Sequence, residues 1–317
     1  MNSRGSFNYL SATSQSSLYR NGKVLTRRNL EGSDSEWIGV NYEKYEADVN
    51  DAREGGSASL EKQGFELIHD DIEASNINFF DNEVVLNRYY PMCADRIKET
   101  VNARAVYAFD HNIRSAVGKK SKKMLTGGQQ VQGPAHAVHG DYTLTSAPDR
   151  LRQLSQPPGQ NDTIRSLIAD GASLVPSSEV EQVANGARFA IINLWRSIVP
   201  EPVEINPIAL CDASRVNPKD LVVFEIHYGD RIGENYFAKY NPNHQWWFYP
   251  KMNRTEALLI KQWDSDGGLA KSNGEKSDIE FPNSPCTFSF HSAFKEPSTP
   301  DDAPDRWSME VRCIALF

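Results

Sequence analysis

The chain has 317 residues, and its 42 acidic against 34 basic side chains give a net charge of −8. A net negative charge repels phosphate and therefore disfavours general binding to nucleic acids or to anionic membranes. Hydrophobic residues make up 39% of the chain, which permits a sizeable core and excludes wholesale disorder. No apolar run approaches the roughly 20 residues of a membrane helix, and the polar N-terminus lacks a secretory signal. We expect a cytoplasmic protein, a monomer or homodimer.

The first part of the chain gives few structural signals. Residues 1–60 are polar and rich in turn formers, and they predict an irregular N-terminal arm with at most one hairpin. Residues 61–317 then form a single domain. Residues 91–103 predict a short helix that has Pro at its first position. Residues 104–110 alternate and are rich in strand formers, so they predict a strand.

The second half is strand-like in short segments separated by Pro, Gly, Asn and Asp. The candidates are residues 188–198, 206–216, 221–228, 245–250, 257–263, 286–294 and 306–317. This spacing is typical of a sandwich or barrel and not of alternating strands and helices. An insert at about residues 145–187 interrupts the pattern. Such an insert is either a lid over a site or a surface excursion.

The strongest chemical signal is the tripeptide His139-Gly140-Asp141. On an extended backbone, residues i and i+2 point to the same side, so one imidazole and one carboxylate can face one metal ion. A third ligand from a distant strand completes a two-His, one-carboxylate triad, which leaves positions on Fe(II) open for O2 and a second ligand. The alternative is a surface turn with a capping Asp, because this tripeptide also arises by chance.

The third ligand and an anion site are expected near the end of the chain. His291 lies in the penultimate strand candidate, and an antiparallel hairpin would place it beside the last one. Arg306, Ser308 and Arg312 share one face of that last strand. A guanidinium holds a carboxylate in a bidentate fork and a hydroxyl adds a hydrogen bond, while a keto acid can chelate the metal. The co-substrate that fits is 2-oxoglutarate. Alternatively, Arg312 simply pairs with Glu310 or Asp305.

Several polar and aromatic side chains are further candidates for the site. Asn193 and Trp195 lie on one side of a strand, either as a wall of the substrate pocket or as core residues. Trp247 belongs to a run of four aromatics, of which one pair is expected to line the pocket. Tyr249 is a candidate donor to 2-oxoglutarate, and Tyr142 is a candidate substrate contact beside Asp141.

These motifs resemble those of Fe(II)/2-oxoglutarate-dependent oxygenases. The two ligands of His139-Gly140-Asp141, then His291, then Arg306-Trp307-Ser308 follow the order of the iron ligands and the RxS motif. Further segments are similar to the fungal hydroxylase/desaturase family of secondary metabolism, whose relatives include a gibberellin desaturase and an aziridine-forming amino acid oxidase. The segments are residues 138–143, 193–198, 207–213, 247–252 and 291–294. Gly140 and Trp307 depart from the family pattern, which has Val and Glu there.

The resemblance implies a mainly β fold, a cupin-like double-stranded β-helix or jelly roll with flanking helices and a lid insert. It implies that His139, Asp141 and His291 bind Fe(II). Arg306, supported by Ser308, would hold the distal carboxylate of 2-oxoglutarate, and Arg312 would lie nearer the chelating end or the substrate. O2 would convert 2-oxoglutarate to succinate and CO2. Hydrogen abstraction from an unactivated C–H bond would then hydroxylate, desaturate or cyclise an amino acid or natural-product intermediate.

Two other functions stay open on the sequence alone. An iron oxidase with the same triad would need no 2-oxoglutarate, and its Arg and Ser would bind a carboxylate of the substrate instead. A non-catalytic jelly-roll module would keep the motif residues for binding only, although buried charges without a metal or ligand are costly.

Overall fold

The computed structural model describes residues 3–28, 34–56, 58–229 and 231–317. These residues form a mainly β structure, as the strand-rich sequence predicts. The strands are β1 (Ser3–Leu10), β2 (Leu25–Arg28), β3 (Asp34–Ile38), β4 (Tyr42–Asp51), β5 (Phe65–His69), β6 (Ala105–Arg114), β7 (His139–Gly140), β8 (Phe189–Ser197), β9 (Ile208–Cys211), β10 (Leu221–His227), β11 (Ile232–Ala238), β12 (Trp246–Phe248), β13 (Glu256–Asp264), β14 (His291–Ala293) and β15 (Ser308–Leu316).

The helices are short. They are α1 (Asn82–Val84), α2 (Tyr90–Val101), α3 (Ala116–Lys120), α4 (Ser146–Leu154), α5 (Ser177–Ala184) and α6 (Gly268–Lys271), with a π-helical turn at Val85–Tyr89 and 3-10 turns at Glu73–Ser75, Thr163–Ser166, Ala213–Arg215, Pro218–Asp220 and Asp278–Glu280. Helix α2 confirms the expected helix: Pro91 lies in its first turn, and it ends at Asn102, whose φ is 52°. Within the described residues, no helix is both long and apolar enough to cross a membrane.

The strands form two sheets that pack against each other. The larger sheet has ten strands in the order β1-β4-β12-β9-β14-β7-β11-β10-β2-β3, and the smaller has five in the order β5-β13-β8-β15-β6. Trp195 and Leu258 of the smaller sheet meet Leu210 of the larger in one apolar cluster. Helix α2 covers the other face of the smaller sheet, which explains why every residue of β8 is buried.

The interpretation of residues 1–60 as an irregular arm is wrong for the four strands β1 to β4. Strand β1 pairs with β4 from Ser3↔Val49 to Leu10↔Tyr42, and β4 continues the larger sheet beside β12. Strand β4 leaves alternate side chains exposed. Strands that face solvent on one side carry polar residues at every second position, and for this reason β1 and β4 were not predicted from the sequence.

The expected hairpin of the last two strands is also wrong. Strand β14 lies between β9 and β7 in the larger sheet, whereas β15 lies between β8 and β6 in the smaller one. Residues 294–307 therefore carry the chain from one sheet to the other instead of closing a tight turn. The insert at 145–187 contains α4, α5 and a 3-10 turn but no strand. The two halves of the site thus approach each other from facing sheets.

Candidate metal centre and its cavity

Two imidazoles and one carboxylate meet between the sheets. His139 of β7 pairs directly with His291 of β14, so both rings lie on the same face of the larger sheet. Their ring centroids are 4.3 Å apart. The Nε2 atoms of His139 and His291 lie 3.6 and 3.9 Å from Oδ1 of Asp141. One ligand atom from each buried residue lies within 4.8 Å of the others, close enough for all three to reach one ion.

The protonation of this cluster suits a divalent cation. His139 Nδ1 donates to the Ala137 carbonyl over 2.8 Å, so its Nε2 keeps a free lone pair. Burial lowers the pKa of His139 to about 4 and lowers the pKa of His291 as well. Burial acts to raise the pKa of Asp141, but the Arg312 guanidinium and the imidazoles outweigh it and hold that pKa well below its usual range. Two neutral imidazoles and one carboxylate are the donor set of non-haem Fe(II) sites.

The second carboxylate oxygen of Asp141 is held by the smaller sheet. Its Oδ2 accepts from Asn193 Nδ2 at 2.9 Å and from Arg312 Nε at 3.1 Å, while its backbone N–H donates to Gln262 Oε1 at 3.1 Å. Asn193 is fully buried and orients the carboxylate, which agrees with the second of the two alternatives for it, a core residue. Oδ1 alone faces the imidazoles, so the arrangement fits binding of a metal through one oxygen.

A small cavity opens beside the two imidazoles. Its lining residues come from both sheets and their connections: Arg114, Ala135, His139, Trp195, Ile208, His291, Ala293, Arg306 and Glu310. Trp195 borders this cavity and is at the same time a buried residue of an apolar cluster. The guanidinium of Arg306 lies 5.8 Å from the centre of its ring. The cavity joins the candidate metal centre directly to the predicted anion site.

Arg306 and Ser308 have the features of an anion-binding site. Arg306 is buried and donates from Nη1 to the Asn206 carbonyl, but its Nε has no partner and no carboxylate of the described residues pairs with it. Burial lowers the pKa of Arg306 to about 9, so it stays charged at neutral pH. The buried Ser308 hydroxyl also lacks a partner. Buried hydrogen-bond donors without a protein partner are explained by a ligand that accepts hydrogen bonds from them.

Arg114 is a second cavity guanidinium that the sequence analysis missed. It pairs with Ser308 across β6 and β15 and therefore lies on the same face. Its Nη1 donates to the Gly133 carbonyl at 3.0 Å, and its Nη2 lies 4.0 Å from Glu310. Burial lowers its pKa. The alternation of β6 was the available signal, but the expected strand ended at Asp110, short of Arg114.

Arg312 forms ion pairs with three carboxylates of the protein. Its Nε bonds Asp141 at 3.1 Å, its Nη1 bonds Asp110 at 3.0 Å and its Nη2 bonds Glu310 at 2.6 Å. Arg312 thus pairs with Glu310, one of the two partners considered as an alternative to a ligand. The other, Asp305, accepts a hydrogen bond from Ser115 instead. Arg312 lies next to the metal centre, but each of its nitrogens already has a carboxylate partner.

Three candidate residues lie outside the cavity. Tyr249 packs in the apolar cluster that also contains Trp195, with the Arg53 guanidinium 5.9 Å from its ring. Trp247 packs on Gly55, where a Cβ would lie 2.4 Å from its ring. Both follow from the position of β12, which β9 separates from β14. Tyr142 does not line the cavity, but burial beside Asp141 and Asp110 raises the pKa of its phenol.

The departure at Gly140 has a packing explanation. A Cβ at this position would lie 2.9 Å from the ring of Phe288. The aromatic ring of Phe288 therefore occupies the space that the side chain of Val would need. Gly140 is buried between the two ligands His139 and Asp141, so the substitution keeps the ligand spacing intact.

Comparisons with known proteins agree with this geometry. A family model described as "Oxidoreductase/YMDC permease-like domain" matches residues 7–168 and 161–316. An uncharacterised protein of Methylophilus leisingeri is 42% identical, over 60% of this chain and 88% of its own length. The hydroxylase/desaturase EfuI of Hormonema carpetanum is 28% identical, over 85% of this chain and 82% of its own. The Fe(II)/2-oxoglutarate-dependent dioxygenase NvfI of Aspergillus novofumigatus is 26% identical, over 87% and 84%.

The solved structures show the same fold. The structure of the iron and alpha-ketoglutarate-dependent endoperoxidase NvfI superimposes with a TM-score of 0.71 at 22% identity, over 99% of this chain and 98% of that one. Fold, relatives and triad together define an oxidoreductase of the Fe(II)/2-oxoglutarate-dependent dioxygenase class, which uses Fe(II), 2-oxoglutarate and O2. The chain belongs to the oxidoreductase/YMDC permease-like domain family. The resemblance to the fungal hydroxylase/desaturase family is confirmed.

Proposed function

We propose that this chain uses Fe(II), 2-oxoglutarate and O2 to abstract hydrogen from an unactivated C–H bond of a small metabolite, giving hydroxylation, desaturation or ring closure. The observation that carries the proposal is the buried cluster of His139, Asp141 and His291, with ligand atoms within 4.8 Å of one another. Iron, when bound there, supplies the oxidising chemistry with O2. His139 Nε2, Asp141 Oδ1 and His291 Nε2 are the proposed ligand atoms.

The proposed co-substrate site lies at the other end of the cavity. Arg306 and the Ser308 hydroxyl hold the distal carboxylate of 2-oxoglutarate, and Arg114 supplies a second cation beside them. The support is chemical: a buried guanidinium and a half-buried one face one cavity, and within the described residues the buried one has no carboxylate partner. A dianionic ligand balances this charge in an environment of low dielectric, where an unpaired charge is costly.

We also propose the finer description of the fold. The two packed sheets form a double-stranded β-helix, or jelly roll, with the metal centre at its open end. Residues 145–187 cover this end as a lid, and the N-terminal strands belong to the same single domain. The protein then orients the substrate and excludes water around the reacting C–H bond.

Anaerobic spectroscopy tests the proposed function. Metal-free protein reconstituted with Fe(II) and 2-oxoglutarate should show a weak visible charge-transfer band, and His139→Ala should lose it. Turnover should release succinate. Absence of the band in the wild-type protein would contradict the proposal. Oxidation of a substrate without succinate release would favour the iron oxidase that needs no 2-oxoglutarate.

A further inference from the structure

A continuous series of polar contacts joins the insert to the metal carboxylate. Thr163 lies in the insert, in the 3-10 turn Thr163–Ser166, and its hydroxyl donates to Asp110 Oδ1 over 2.6 Å. The other oxygen of Asp110 bonds Arg312 Nη1 at 3.0 Å. Arg312 Nε then bonds Asp141 Oδ2 at 3.1 Å. Three contacts thus connect a residue of the insert with a proposed iron ligand.

The geometry makes this series stiff. The guanidinium of Arg312 is planar, and Glu310 holds its remaining nitrogen at 2.6 Å. A planar group fixed at three edges cannot turn without breaking a charge-assisted hydrogen bond. Asp110 is the more exposed of the partners, with 30% of its side chain accessible against 5% for Glu310. Its conformation therefore depends on the bond from Thr163, and thus on the insert.

We propose that Asp110 and Thr163 are positioning residues, through which docking of the insert sets the orientation of Asp141 towards the metal. This inference rests on the proposed function. With Oδ2 held by Arg312 and Asn193, Oδ1 alone is directed at the ion. Binding through one oxygen leaves room for a chelating co-substrate and O2. Without Asp110 the guanidinium loses one of its three anchors, and Oδ2 of Asp141 is held less firmly, by Asn193 and by a less constrained Arg312.

The test measures metal binding rather than turnover. Metal-free protein is titrated with Co(II), whose ligand-field absorption reports both affinity and geometry. Replacement of partners that orient metal ligands typically weakens metal binding about 10–100-fold. We expect a loss in that range for Asp110→Ala and a several-fold loss for Thr163→Val, with an altered Co(II) spectrum in both.

Glu179→Gln is the matched control. Glu179 lies in α5 of the same insert and anchors it to Arg104, beside the start of β6, by a bond of 2.7 Å. It has no contact with Arg312, so this variant should bind Co(II) with the affinity and spectrum of the wild type. Thermal unfolding of the metal-free proteins checks that Thr163→Val and Glu179→Gln are folded alike.

Two results would contradict this inference and leave the proposed function intact. Wild-type affinity and spectrum in both Asp110→Ala and Thr163→Val would show that the contact series does not orient Asp141. Equal weakening in Glu179→Gln and Thr163→Val would show that general docking of the insert matters and this series does not. A wild-type protein that binds neither Co(II) nor Fe(II) with 2-oxoglutarate would instead contradict the proposed function itself.

Discussion

Arg306 places a positive charge in the interior, and no carboxylate in the described part of the chain forms an ion pair with it. Its side chain is buried, and its Nε has no hydrogen-bond partner. A lone buried cation destabilises a fold, because the lost hydration is not replaced. The arginine is therefore better explained by a ligand than by the stability of the chain.

Arg306→Met should separate these two roles. We expect the metal-free variant to unfold at the same temperature as the wild type or higher, because an uncompensated buried charge is replaced by an apolar side chain of similar length. Binding of 2-oxoglutarate to the Fe(II) protein should weaken at least tenfold, which titration of the charge-transfer band measures. Thermal unfolding followed by circular dichroism measures stability.

Arg196→Met is the control for that substitution. Arg196 is also fully buried, but it forms an ion pair with Asp70. Removing one member of a fully buried pair destabilises a protein by about 3–5 kcal/mol; because Asp70 is partly exposed and keeps Arg96 as a partner, we expect a loss at the lower end of that range. If Arg306→Met lost as much stability as Arg196→Met, the structural explanation of Arg306 would be preferred.

Residue patterns predicted only part of the site. The spacing of His139 and Asp141 and the alternation after Arg306 indicated the ligand types, because both are local properties of an extended backbone. The contact between Asn193 and Asp141 and the presence of Arg114 in the cavity depend on how two sheets face each other. Trp247 and Tyr249 were misplaced for the same reason, since no local pattern states that β9 lies between β12 and β14.

Strand β1 shows at the scale of the element how much the N-terminal segment contributes. Phe7 and Tyr9 are fully buried in the main core. The carbonyl of Asn8 accepts from the N–H of Val138, the residue before His139. Strand β1 therefore supports the backbone that carries the first two proposed ligands.

Phe7→Ala should test this contribution. Truncation of a buried Phe typically lowers the free energy of unfolding by about 3–5 kcal/mol. Denaturant unfolding of the metal-free protein measures the change. Tyr19→Ala is the control, because Tyr19 is 52% exposed and should change stability by about 0.5 kcal/mol or less. Equal, small effects in both variants would fit an irregular arm and contradict the strand.

Strands with two buried faces were the easiest elements to predict. The expected segments 188–198 and 257–263 correspond to β8 and β13, whose mostly apolar sequences and nearly continuous burial reflect cover on both sides. Of the expected segment 286–294, only the three residues of β14 form a strand. Strand β11 was not predicted, because Gly233, Glu234 and Asn235 interrupt its apolar residues. Strands with one solvent-exposed face have a weaker apolar pattern and are harder to predict from the sequence.

At the scale of the whole molecule, buried neutral histidines link stability to pH. Burial lowers the pKa of His139 to about 4 and also lowers those of His291 and His111. An unfolded histidine titrates near 6.5, so between pH 6.5 and 4 the unfolded metal-free chain binds protons that the folded chain does not. These groups therefore lower the free energy of unfolding as the pH falls. Burial raises the pKa of Glu234 and Asp278, which acts in the opposite direction.

His139→Gln should isolate one of these contributions. We expect the unfolding free energy of the metal-free wild type, minus that of the variant, to fall as the pH is lowered from 6.5 to 4. The slope should be at most about 1.4 kcal/mol per pH unit. The carboxylates that titrate in the same range cancel in this difference. Urea unfolding at several pH values measures it, and a constant difference would contradict a neutral His139 in the folded chain.

The interior place of β15 in the smaller sheet, between β8 and β6, has a consequence for folding. Strand β15 pairs with β8 on one side and β6 on the other, although it follows both by a long stretch of chain. Until residues 308–316 have been synthesised, these two strands keep exposed pairing edges of the kind that promotes aggregation. Contacts between segments so distant in sequence also slow folding. A nascent chain of this protein should therefore depend on chaperones late in its synthesis.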